Sequence, residues 1–128
     1  MKLHKINFTF IKIKPGKNNA KAYFKTEEDS MKILAIEKEV AGVKDDDYLP
    51  YLKAEALKAW ELYKKGIIRE LYFREDWPGA VLILECSGAE EAKSYLSGLP
   101  LVHNKLIDFD IIPLTAYPGF ERLFNNIT

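Results

Sequence analysis

The chain is poor in the residues that carry the commonest reaction chemistries. It has one cysteine, Cys86, and two histidines, His4 and His103, in 128 residues. A single thiol cannot close an internal disulfide, so a reducing, cytoplasmic setting is expected. No CxxC or HxxxH spacing occurs, so neither a metal centre nor another bound cofactor is expected. There is no glycine-rich phosphate loop, and no nucleophile elbow surrounds Ser87. The formal net charge is zero. That excludes a nucleic-acid binder held by phosphate neutralisation. No apolar run approaches the length of a membrane span. The run INFTFIKI near the N-terminus is broken by Lys12 and lacks a small-residue cleavage site, so it reads poorly as a signal peptide.

What is present is ordinary in amount and uneven in placement. Apolar residues make up 48% and charged residues 30%, and the length suits one domain with its own core. Residues 1–30 hold seven lysines and three acids, and residues 31–128 hold twelve basic and sixteen acidic side chains, so the two parts carry +4 and −4. This break divides the chain into an N-terminal extension, 1–30, and a core domain, 31–128. Within the extension, residues 6–13 and 22–24 could pair as a lysine-rich β-hairpin around Pro15 and Gly16.

The core domain spells out an order of elements. MKILAIEKE (31–39) alternates as a strand, with Ile33, Ala35 and Glu37 on one side and Leu34 and Ile36 on the other. Asp45, Asp46 and Asp47 precede a helix expected over Tyr48 to Lys65, where carboxylates cap free N–H groups. Pro50 fits its first turn and Gly66 its stop. Leu49, Leu52, Ala56, Ala59, Trp60 and Tyr63 form its apolar stripe. Trp60 and Tyr63 are packing residues in that pattern and are also placed to line a pocket under the helix.

Two strands, 67–74 and 80–86, flank a five-residue hairpin loop, EDWPG. Ser87 and Glu90 read as a capping box for a second helix, with Ala92, Tyr95, Leu96 and Leu99 on its apolar side. A last strand runs over 105–114, with His103 at its start, and an apolar tail follows at Phe120, Leu123 and Phe124. The order strand, helix, strand, strand, helix, strand is that of the ferredoxin-like βαββαβ unit, an α+β fold with an antiparallel sheet.

Such a sheet carries helices on one face only. Its other face here would carry Val81, Ile83, Leu106 and Ile112, too apolar to stand in water. A second copy stacked face to face would cover it and make a dimeric α+β barrel, a homodimer. Arg69, Leu71 and Phe73 alternate with Glu70, Tyr72 and Arg74 along the third element. The mixed face then gathers Glu37, Glu70, Tyr72, Arg74, Glu85, Asp108 and Asp110. Carboxylates crowded together and partly buried acquire raised pKa values, which suits general acid–base work near neutral pH.

MKILAIEKE, LKAEALKAWELYKKGIIRELYFR, AVLILEC with EEAKSYLSGLPLV, and LIDFDIIPLTAYPGFERLF together resemble the muconolactone isomerase-like branch of the dimeric α+β barrel superfamily, over about residues 31–124. The resemblance implies a cofactor-free proton shift in an unsaturated lactone that bears a carboxylate. Such a shift needs a base beside an acidic carbon and a cation for the carboxylate. Glu37 and Glu70 are the candidate catalytic bases. Trp60, Tyr63, Tyr72 and Arg74 are the candidate ligand-binding residues, with Arg74 as the cation. The expected ligand is a small organic molecule, anionic or aromatic. The alternative is a non-catalytic ligand-binding or interaction protein on the same scaffold.

Overall fold

The computed structural model of the chain describes residues 30–125. The hairpin expected in the N-terminal extension, and His4, lie outside the described residues. Four strands form one antiparallel sheet: β1 (Met31–Glu39), β2 (Ile68–Phe73), β3 (Ala80–Cys86) and β4 (Ile107–Pro113), in the spatial order β2-β3-β1-β4. The long connection after β1 holds a short helix α1 (Asp45–Tyr48), a 3-10 turn (Leu49–Tyr51) and the main helix α2 (Leu52–Lys64). Between β3 and β4 lie α3 (Ala89–Leu96) and α4 (Pro100–His103), and a 3-10 segment (Pro118–Leu123) follows β4. The architecture is α+β with an open four-stranded antiparallel sheet, compatible with a ferredoxin-like fold.

Period-two alternation builds the core. Ile33 and Ala35 of β1, Leu82, Leu84 and Cys86 of β3, and Ile107 and Phe109 of β4 all point to the helices and are buried. They meet Leu62 of α2, Ala92 and Leu96 of α3, and Leu99 and Leu101 around the start of α4. Registers Ala35↔Leu82 and Ala35↔Ile111 bring these inward positions into rows across three strands. Burying a leucine or isoleucine this completely contributes about 1.5–3 kcal/mol each.

Several local expectations are corrected. The region 48–65 is not one helix: Pro50 sits inside the 3-10 turn, which divides α1 from α2. The ring removes a donor and clashes with the preceding turn, so an uninterrupted helix cannot pass through it. The three aspartates form the first turn of α1 itself, where Asp47 Oδ2 accepts the Lys44 backbone N–H at 2.8 Å.

Gly66 does end α2, at φ +78°, with Gly66 N–H donating to the Tyr63 carbonyl and Ile67 N–H to that of Leu62. This is the left-handed close that glycine favours. Helix α3 starts after Gly88, without a Ser87–Glu90 capping box; it is Glu91 whose Oε1 reaches back to accept the Ser87 N–H at 2.7 Å. His103 ends α4 and is exposed; it does not begin β4.

The buried stripe of α2 is rotated from the expected one. Leu62 is 3% exposed, whereas Leu52, Trp60 and Tyr63 are 47%, 52% and 51% exposed. Of the expected residues, Leu52, Ala56 and Ala59 border a cleft shared with Leu71 and Phe73 of the edge strand β2. On β2 the register shifts between Ile68 and Glu70. Arg69 is the extra residue, and it is Ile68 that joins Leu71 and Phe73 on the helix side. Among the described residues no helix is long and apolar enough to cross a membrane.

Candidate functional site

Two adjoining clefts open between the helix-facing side of the sheet and α2. The inner one, of 310 Å³, is walled by Ala56 and Ala59 of α2, Leu71 and Phe73 of β2, and Leu82, Leu99 and Phe109 of the core. The outer one, of 460 Å³, reaches Glu39, Asp45, Tyr48, Trp77 and Pro78. Glu37, Leu52, Phe73, Leu101 and Ile107 line both, so the two clefts are immediate neighbours. The small side chains of Ala56 and Ala59 fill little of the space between α2 and the sheet, which leaves the inner cleft open.

Two carboxylates, Glu37 and Glu55, face the inner, largely apolar cleft. Glu37 follows Ile33 and Ala35 on the inward side of β1, so alternation alone aims it under α2. Its Oε1 accepts the Ala80 N–H at 2.8 Å. Glu55 projects from the first turn of α2, and its Oε1 accepts the Leu101 N–H at 2.8 Å. In each case one oxygen is held by a backbone donor at the end of a neighbouring element, which fixes the carboxyl in place.

Burial raises the pKa of both. For Glu37 the loss of water outweighs the opposing hydrogen bond from Ala80. For Glu55 burial again dominates, the bond from Leu101 opposes it, and the negative charge of Glu37 raises it further. Tyr48, at the outer rim, is raised by burial first and then by Glu37 and neighbouring acids, so its hydroxyl stays protonated. The hydroxyl of Tyr48 and the indole N–H of Trp77 are the side-chain donors among the lining residues other than a protonated carboxyl. Trp77 is seated by Gly79, where a Cβ would collide with the indole ring.

The structure separates the residues that the sequence grouped on a mixed face. Glu37 stands on the helix side, away from the others. Glu70 and Tyr72 stand on the open face, paired to each other by a Tyr72 hydroxyl donating to Glu70 Oε1 at 2.9 Å. Arg74 lies at the end of the hairpin, where Nε and Nη2 bind Asp76 Oδ1 and Oδ2 at 2.9 and 2.8 Å. Its guanidinium sits 5.6 Å from the centre of the Trp77 ring. Trp60 and Tyr63 stack on each other at 5.7 Å on the outer flank of α2 and line neither cleft.

Glu55, Tyr48, Phe73 and Trp77 were not singled out from sequence. Glu55 had a readable signal: it stands three residues after Leu52, four before Ala59 and seven before Leu62, a carboxylate within an apolar helical face.

The open face carries an apolar centre of Leu34, Ile36, Val81, Ile83 and Ile112, in the cross-strand rows Leu34↔Ile83, Leu34↔Ile112 and Ile36↔Val81. Charged pairs mark two sides of it. Lys32 binds Glu85 at 3.1 Å, and Lys38 binds Asp110 at 3.0 Å. Burial pushes Glu85 up, but hydrogen bonds from Ser30 and Lys32 bring it below its usual value. No group of acids, histidines and cysteine among the described residues is arranged to hold a metal ion.

The fold and the site together define an α+β protein with an open antiparallel sheet and a carboxylate-bearing cleft beneath its main helix. No protein-family model matches the chain, and no curated protein matches it.

Proposed function

We propose that this protein binds a small organic molecule in the cleft under α2 and isomerises it by a cofactor-independent proton shift, as its resemblance to the muconolactone isomerase-like branch implies. The observation that carries the reading is Glu37: a half-buried carboxyl of raised pKa, held by the Ala80 N–H and facing an apolar space. A carboxylate so placed is a stronger base than one in water, and its pKa moves toward the working pH. The working form is a homodimer of the α+β barrel type. The apolar centre of the open sheet face supports it, since a second copy would cover Leu34, Ile83 and Ile112.

The test follows proton exchange by NMR in D2O with β,γ-unsaturated lactones as substrates, alongside light scattering. Wild-type protein should scatter as a dimer and incorporate deuterium at the acidic carbon, and Glu37→Gln should stop incorporation. A micromolar monomer would sink the barrel. The alternative, a binding protein without turnover, is favoured by one observation: Arg74, the cation expected to hold a substrate carboxylate, is engaged by Asp76. Saturable binding with no exchange would select it.

A further inference from the structure

We infer that Glu55 is a second catalytic residue, the acid that returns the proton Glu37 removes, and that the cleft takes a neutral unsaturated carbonyl compound, not an anion. This deepens the proposed proton shift and rests on it. The first ground is position: Glu37 and Glu55 line the same 310 Å³ space from opposite walls, one on the sheet and one on α2. The second is fixation, because the Leu101 N–H holds Glu55 at 2.8 Å as the Ala80 N–H holds Glu37. The third is the charge of the lining: its ionisable residues are Glu37, Glu39, Asp45, Tyr48 and Glu55, with no lysine, arginine or histidine. An anionic substrate would meet carboxylates of like charge and no cation among the lining residues.

The two carboxyls take different roles. Burial raises both, and the charge of Glu37 is a further cause at Glu55, which assigns the base to Glu37 and the acid to Glu55. In the forward step the Glu37 carboxylate takes a proton from the carbon next to the carbonyl. The C–H electron pair enters a dienolate, whose oxygen can accept from Tyr48 or Trp77. The electrons then form a new C–H bond at the far carbon with the proton of Glu55, and the double bond moves into conjugation. One C–H bond breaks and one forms, with no net oxidation. Glu37 ends protonated and Glu55 ionised, and proton exchange after product release restores them.

The probes are α-angelica lactone, a neutral β,γ-unsaturated lactone, and its counterpart bearing a carboxylate on the methyl group. Wild-type protein should isomerise the neutral lactone in preference to the charged one. Glu55→Gln keeps an oxygen for the Leu101 N–H. It should still exchange the acidic carbon's protons with D2O but should isomerise at least about 100-fold more slowly, the size of a lost general acid. Glu37→Gln should lose both. If Glu55→Gln does not fold, Glu55→Asp, whose acid stops one methylene short, should give the same split. Wild-type isomerisation in Glu55→Gln, with Glu37→Gln inactive, would overturn the role of Glu55 and leave Glu37 as base. Preference for the charged lactone would overturn the substrate class alone. No exchange with either lactone would overturn this inference and the catalytic reading together, whereas exchange that survives Glu37→Gln would remove Glu37 as the base.

Discussion

Replacing Leu62 and Leu52 separately by alanine tests the orientation of α2, on which the whole cleft depends. Both are leucines of one helix, but Leu62 is 3% exposed and Leu52 is 47% exposed. Leu62→Ala removes three carbons from the core, about 2.4 kcal/mol of transfer free energy at ~0.8 per methylene. The space left behind adds to that, for a total of about 3–4 kcal/mol. For a domain of this size the melting temperature should fall by roughly 12–25 °C. Leu52→Ala forfeits about half of the transfer term, roughly 1.2 kcal/mol, and leaves no closed void because the residue borders the cleft. Its larger effect should be on ligand affinity. Thermal melting followed by circular dichroism, at several protein concentrations, reads both. A larger loss from Leu52→Ala than from Leu62→Ala, independent of concentration, would mean that α2 is turned the other way. Glu55 would then not face Glu37.

The carboxyl pair predicts a pH dependence of definite sign. Both folded pKa values lie above the ordinary glutamate value. The stability tied to the protonated forms is therefore full below that value and lost as pH rises through the raised ones. Glu37→Gln and Glu55→Gln should each flatten this decline in urea titrations from pH 4 to 8; an unchanged slope would show the carboxyls to be solvated. Arg74→Ala should leave melting and ligand affinity unchanged, since Arg74 is exposed and engaged by Asp76; a loss of affinity measured by calorimetry would bring it back into the site. Ile83→Lys should convert the proposed dimer to monomer or unfold it, at a cost of about 3–5 kcal/mol for an unpaired buried charge. A stable Ile83→Lys dimer in light scattering would locate the interface elsewhere.

The sheet was more legible in the sequence than the site. Alternation is a strict period of two, so Ile33, Ala35, Leu82, Leu84, Ile107 and Phe109 could be assigned to one face without knowing what covers it. Helix α2 was harder because its apolar arc is wide: Leu52, Ala56, Trp60 and Tyr63 satisfy the helical period as well as the half-buried Ala59 and the buried Leu62 do. Periodicity measures the arc but not which part of it touches the sheet. The bulge at Arg69 was invisible because a register shift depends on the partner strand. Glu37 was legible as a candidate, but as part of the mixed face, whereas its alternation with Ile33 and Ala35 puts it in the inward series of β1, under α2. Its partner was not, because Glu55 joins it only once α2 crosses over the sheet.

Each cleft carboxyl gives one named oxygen, Oε1, to a backbone N–H. An N–H needs a lone pair to meet, so when either group is protonated the hydrogen resides on Oε2. The usual twofold ambiguity of a carboxylic acid is thereby removed: each group has a permanent acceptor end and a permanent exchangeable end. Substitution by glutamine reproduces the first with the amide oxygen and replaces the second with NH2. It therefore imitates the protonated state in shape while being unable to give up or accept the proton. The two hydrogen bonds also join separate parts of the chain, β1 to the start of β3 and α2 to α4. Anything that drew Oε1 away from its donor would loosen those junctions, so the protein's own tertiary structure dictates which atom of each carboxyl is left to meet a guest.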